Sequence, residues 1–151
     1  MVKEEVLKEA VQLLKKIRPD LIETAIEMNI KIKVRKEWVP HAVAHYNPLT
    51  KTITIDKRYK TPYYIAIVLY HELRHAQIGA LNFILNMAEN EYNCLVTEMQ
   101  VAGVLGRSIY FFGKDLEYFK TEKTQCIKLI GQNGYSWIGQ LKRFTIGLRR
   151  G

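Results

Sequence analysis

Residues 64–81 read YIAIVLYHELRHAQIGAL and set the problem of this chain: His71, Glu72, Arg74 and His75 interrupt an otherwise aliphatic stripe. Ionisable side chains seldom enter an apolar face uncompensated, because desolvating each one costs several kcal/mol (order of magnitude). The stripe predicts a helix over about 62–82. Thr61-Pro62 is its start signal, a hydroxyl N-cap followed by proline at the first helical position, where the missing N–H is no loss. On that helix His71 and His75 are four residues apart, one above the other on one face, with Cβ atoms about 5–6 Å apart. Two imidazoles so placed can reach one ion. Glu72 lies about 100° around, within reach of a water beside that ion. The pattern is HExxH, whose chemistry is a zinc ion held by both histidines with the glutamate as general base. Four histidines and twelve glutamates would produce it by chance about once in a hundred such chains.

Working outward, the chain upstream predicts two helices and then strands. Val6, Ala10, Leu13, Leu14 and Ile17 fall at helical spacing up to Pro19, and a second helix is expected from Asp20, with Asp20 and Glu23 as a capping box, to near Asn29. The period then changes to two. IKIKVR (30–35), residues 39–46 and KTITID (51–56) read as strands, with a turn at Asn47-Pro48 closing an antiparallel hairpin over about 39–56. Downstream, amphipathic patterns cover about 85–106 and 114–130, after a turn at Gly113, and a weaker one 135–146. The expected fold class is α+β, and the chain is expected to form one domain over 1–151: a helical segment 1–29, a core of about 30–106 and a helical segment 107–151.

Bulk composition narrows the classes. No run of about 18 apolar residues is present, and the charged amphipathic start has no signal-peptide core, so a cytoplasmic protein that spans no membrane is expected. Cys94 and Cys126 sit inside helical patterns, as packed thiols do, without metal-type spacing. The net charge is +8 and the pI about 9.5, which raises nucleic acid as a partner, although Lys and Arg are spread along the chain. The densest excess is Lys142, Arg143, Arg149 and Arg150 in the tail.

Helix 85–106 carries the second polar intrusion. Its stripe reads Ile84, Ala88, Glu91, Leu95, Glu98, Ala102, putting two carboxylates seven residues apart on an apolar face, while Glu89 points away to solvent. No histidine follows His75 and no cysteine precedes His71. A third ligand is then a glutamate of this helix or the upstream His41 or His45.

VLYHELRHAQ resembles the active-site helix of the zincin metallopeptidases, and the block Glu91-Tyr92-Asn93-Cys94 with Glu98 is similar to the glutamate helix of small, single-domain gluzincins. The resemblance covers about residues 40–105 and is specific at HExxH. It implies a minimal zincin-like fold, with a small antiparallel sheet packed on the HExxH helix and the glutamate helix following. It further implies Zn2+ as cofactor and a peptide or protein as substrate. The metal ligands would be His71, His75 and Glu91, with Glu98 as partner to the site or, alternatively, as the third ligand, and Glu72 would be the catalytic base. Zincins bind extended substrate along an edge strand, for which KTITID or VAHY would serve. Transition-state donors would come from His41, His45 or among Tyr46, Tyr63, Tyr64, Tyr70 and Tyr110. Gly79 would let the glutamate helix approach, Arg74 would pair with a carboxylate there, and the tail NGYSWIGQLKRFTIGLRRG could fold over the cleft, as in some minimal gluzincins. The competing reading is a zincin-like domain that binds metal without peptidase activity and serves recognition, for example of nucleic acid through the basic tail.

Overall fold

The computed structural model describes residues 4–35, 44–56 and 61–133. The strand residues 39–43, His41, the pattern at 135–146 and the basic tail lie outside these. The fold is α+β, mostly helical with one small sheet, and the chain divides into two compact units, 1–80 and 81–151.

In the first unit, α1 (Glu4–Ile17) and α2 (Pro19–Glu27) are separated at Arg18. Pro19 is compatible with the first turn of α2 but not with the interior of α1, so it breaks the helical run where the sequence predicts. The expected capping box does not form. The helix begins at Pro19 rather than after Asp20, and both Asp20 oxygens accept from Arg18, Nε at 2.9 Å and Nη2 at 2.8 Å. The other end of α2 closes with a Schellman motif: Asn29 at φ 55° donates to Ile26 O (3.1 Å) and Ile30 N to Ala25 O (2.9 Å).

Three strands follow, β1 (Lys31–Arg35), β2 (Ala44–Asn47) and β3 (Thr52–Asp56), in the order β1-β3-β2. The hairpin β2–β3 is antiparallel as expected, and the Asn47 side chain accepts from Leu49 N at 2.9 Å inside its turn. The sheet as a whole is mixed, not antiparallel, because β1 runs parallel to β3, Lys31 opposite Thr52 and Arg35 opposite Asp56. Alternation says which face of a strand is buried and nothing about the direction of its neighbour. The sheet has β3 in the middle, so KTITID is the central strand and has no free edge. Ile53 and Ile55 on it are fully buried.

Helix α3 (Pro62–Ile78) packs on β2 and β3 and against α1 and α2, with Ile65, Ala66, Leu69 and Tyr70 fully buried opposite Ala10, Leu14 and Leu21. Thr61 is extended, but its hydroxyl makes no cap bond; proline at N1 alone sets the start. Gly79, at φ 87° and ψ 147°, ends the helix, a conformation essentially restricted to glycine. Glycine is required at this position by its backbone conformation.

The second unit contains α4 (Ala80–Leu85), α5 (Met87–Val104), α6 (Leu116–Thr121) and α7 (Lys123–Gln132). The predicted helix over 114–130 is thus two helices, broken at Glu122. Its start is capped by the Asp115 carboxylate, which accepts from Tyr118 N at 2.9 Å. Tyr92, Leu95 and Met99 of α5 pack with Phe119, Cys126 and Ile130 into one core, and the Tyr92 hydroxyl donates to the Phe119 carbonyl at 2.5 Å. Cys94 and Cys126 are buried thiols that form no disulfide. No helix among the described residues is long and apolar enough to cross a membrane.

Candidate metal centre

On α3 the HExxH side chains lie at the margin of the buried stripe, His71, Glu72 and His75 half-buried around fully buried Leu69 and Tyr70. The two imidazoles converge. Nε2 of His75 is 2.9 Å from Nε2 of His71, with ring centroids 4.6 Å apart and planes inclined by 65°. A hydrogen bond between two ring nitrogens needs one donor and one acceptor, so one of the two nitrogens turns a lone pair toward its neighbour. Tetrahedral zinc with bonds of about 2.0–2.1 Å holds its ligand nitrogens about 3.3 Å apart. The pair needs only a few tenths of an ångström of opening to accept such an ion.

Glu72 has a second, unpredicted position. Its Oε2 accepts a hydrogen bond of 2.9 Å from the main-chain N–H of Tyr46 on β2. That bond links residues 26 apart in sequence, and no local pattern announces it. It also orients the strand. Since Tyr46 N–H leaves the sheet, Tyr46 and Ala44 are the non-hydrogen-bonded partners of Ile53 and Ile55, and their N–H and C=O groups face the outer edge. Of the two proposed substrate strands, β2 alone therefore has an edge unpaired by any strand among the described residues.

The remaining candidates in this unit fall elsewhere. His45 is exposed on the sheet face opposite buried Tyr46. Tyr70 is fully buried and receives Arg18 Nη1 at 3.4 Å, while Tyr64 is exposed and Tyr63 half-buried. Arg74 donates from Nη1 to Gln77 Oε1 on its own helix. Arg18 in turn links the Asp20 carboxylate to the Tyr70 hydroxyl at the start of the HExxH segment.

In the second unit, α5 buries two adjoining faces. Tyr92, Leu95 and Met99 belong to the aromatic core. The other face, about 110° around, carries Met87, Glu91, Cys94, Glu98, Val101 and Ala102, all buried, with Glu91 1% and Glu98 8% exposed. Buried carboxylates require a cation or donors to compensate them. Glu89, by contrast, is exposed as predicted and stands 3.4 Å from Lys123 Nζ. Tyr110, in the segment after α5, is 64% exposed.

In comparisons with family models, with curated proteins and with solved structures, nothing matches the chain.

Proposed function

We propose that this chain is a zinc-dependent metallopeptidase of gluzincin type, with His71, His75 and Glu91 as metal ligands and Glu72 as general base. The observation that carries the reading is the convergence of the two Nε2 atoms at 2.9 Å on the helix that also presents Glu72. Two neutral imidazoles and one carboxylate are the donor set of an open catalytic zinc site, the set that His71, His75 and Glu91 would supply. Glu91 is preferred to Glu98 because it is the more completely buried of the two. Glu98, on the same face, then serves to hold the site.

A divalent ion held there supplies Lewis acidity, polarising a peptide carbonyl and bringing the pKa of a water down toward 7. The protein's own part is proton transfer and orientation. Glu72 takes the water's proton on its carboxylate and delivers it to the departing amine, so one residue serves as base and then as acid. The buried aliphatic run before His71 fixes the helix, and with it the direction of all three HExxH side chains. The outer edge of β2 offers main-chain groups to an extended peptide beside Glu72.

The test is metal analysis of the purified full chain together with hydrolysis of a casein or peptide-library substrate by the wild type and by Glu72→Gln. The expected result is zinc in both proteins and hydrolysis in the wild type alone, a loss of about 10²–10⁴-fold. Equal hydrolysis by Glu72→Gln would remove the mechanism.

A further inference from the structure

The hydrogen bond between Glu72 and Tyr46 joins the proposed base to the proposed substrate strand, and the two uses of that N–H exclude each other. Among the described residues β2 is an edge strand, with the N–H and C=O groups of Ala44 and Tyr46 turned outward. An extended peptide pairing there needs the Tyr46 N–H for its own carbonyl. In the structure that N–H is already given to Glu72 Oε2. Among the described residues this is the one hydrogen bond the Glu72 carboxylate makes.

We propose that Glu72 and Tyr46 form a substrate-released latch. In the free protein the carboxylate of Glu72 occupies the edge of β2, and an extended peptide main chain that pairs with Ala44 and Tyr46 takes over the N–H and frees Glu72 to act as base. The Tyr46 main-chain amide is then a positioning group. It parks the carboxylate when no peptide is bound and gives it up when one is. The inference rests on the reading of Glu72 as base, but the exchange itself is a matter of hydrogen bonding and needs no metal.

Two physical consequences follow. A main-chain N–H on the open edge of a sheet normally exchanges with solvent readily, so slow exchange at Tyr46 would depend on Glu72. And since a bond to a carboxylate is about twice as strong as one to a carbonyl, the peptide must displace the better acceptor. Removing Glu72 should therefore strengthen peptide binding, the reverse of what loss of an ordinary contact does.

The experiment uses the full chain in EDTA, as wild type and as Glu72→Ala, with the capped peptide acetyl-Thr-Val-Thr-Val-Thr-Val-amide, which is uncharged. Amide exchange is followed by NMR, and affinity by titration of the Ala44 and Tyr46 cross-peaks. The latch predicts that Tyr46 N–H exchange accelerates at least about 10-fold in Glu72→Ala, that added peptide restores its protection, and that the peptide binds Glu72→Ala about 5-fold more tightly. Glu72→Gln keeps a weaker acceptor in the same place, should fall between the two, and carries the test if the alanine variant does not fold. Unchanged exchange at Tyr46, equal affinities, or no binding to any of the proteins overturns the latch. Absence of zinc or of hydrolysis in the wild type would instead remove the peptidase reading and leave the exchange and affinity results standing.

Discussion

Arg18, in the break between α1 and α2, lies with its guanidinium carbon 5.5 Å from the centroid of the Tyr70 ring and its Nη1 3.4 Å from the Tyr70 hydroxyl. Tyr70 is the residue before His71, so the first two helices are fastened to the HExxH helix at the turn where the HExxH residues begin. The same guanidinium holds Asp20 in a two-pronged bond, which brings the Asp20 carboxyl down from its ordinary 3.8 to about 2.

The pH dependence of that clamp has a definite sign. A carboxyl with a lowered folded-state pKa contributes stability that is fully present above about pH 4 and is lost as pH falls through 2. The pair is partly exposed, with Arg18 at 26% and Asp20 at 48% side-chain exposure, so its contribution is about 0.5–1 kcal/mol. Asp20→Asn should lower Tm at pH 7 by about 1–4 °C, and the difference from wild type should close between pH 4 and 2. A gap that persists unchanged at pH 2 would show that Asp20 acts through packing rather than charge.

Metal loading is the next expectation. The full chain should bind one zinc, and His75→Ala should retain none after dialysis, measured by elemental analysis. Zinc at about 100 times its Kd stabilises a protein that binds it only when folded by about 2.7 kcal/mol. Wild-type Tm should then rise with zinc concentration while that of His75→Ala stays flat. A parallel rise in both would mean that the 2.9 Å contact between His71 and His75 is an ordinary imidazole hydrogen bond.

Glu91 and Glu98 separate by the same measurement. If Glu91 is the third ligand, Glu91→Ala loses zinc, whereas Glu98→Ala keeps it with affinity lowered by about 10–100-fold, the effect of removing a group that orients a ligand. The opposite ranking would transfer the ligand role to Glu98. Both variants should be soluble, because α5 keeps Tyr92, Leu95 and Met99 in the core formed with Phe119, Cys126 and Ile130.

What could be read ahead of the structure was whatever local spacing determines. Pro62 opens α3 and Gly113 marks its turn, since these residues act through their own backbone, whereas α3 ends at Ile78, short of the expected 82, because Gly79 leaves the helical conformation. Spacing alone also puts His71, Glu72 and His75 together, the whole triad lying within five consecutive positions. The parallel pairing of β1 with β3 was hidden, because alternation in IKIKVR is the same for either neighbour direction. So was the break at Glu122: residues 116–121 and 123–132 share one amphipathic rhythm, and tertiary packing around Phe119 and Cys126 decides where it is cut. The capping box failed for a local reason, since the Arg18 fork competes for both Asp20 oxygens. The contact of Glu72 with Tyr46 was out of reach, as it exists only once β2 is an edge strand beside α3.

One strained position gives a final prediction. Phe111 and Lys114 exchange two main-chain bonds, 3.2 and 2.9 Å, across the pair Phe112-Gly113, whose φ angles are 54° and 70°. This is the backbone of a two-residue hairpin turn that favours Asn-Gly, and a phenylalanine in the left-handed region costs about 1–2 kcal/mol. Phe111 packs against the core and Phe112 does not; it is 39% exposed. Phe112→Asn should therefore relieve more backbone strain than it forfeits in burial, raising stability by about 0.5–1 kcal/mol and Tm by about 1–4 °C. Phe112→Ala separates the two effects, because it keeps the strain and loses the ring. If the asparagine variant melts below wild type by as much as the alanine variant does, the Phe112 ring makes a contact worth more than the strain it imposes.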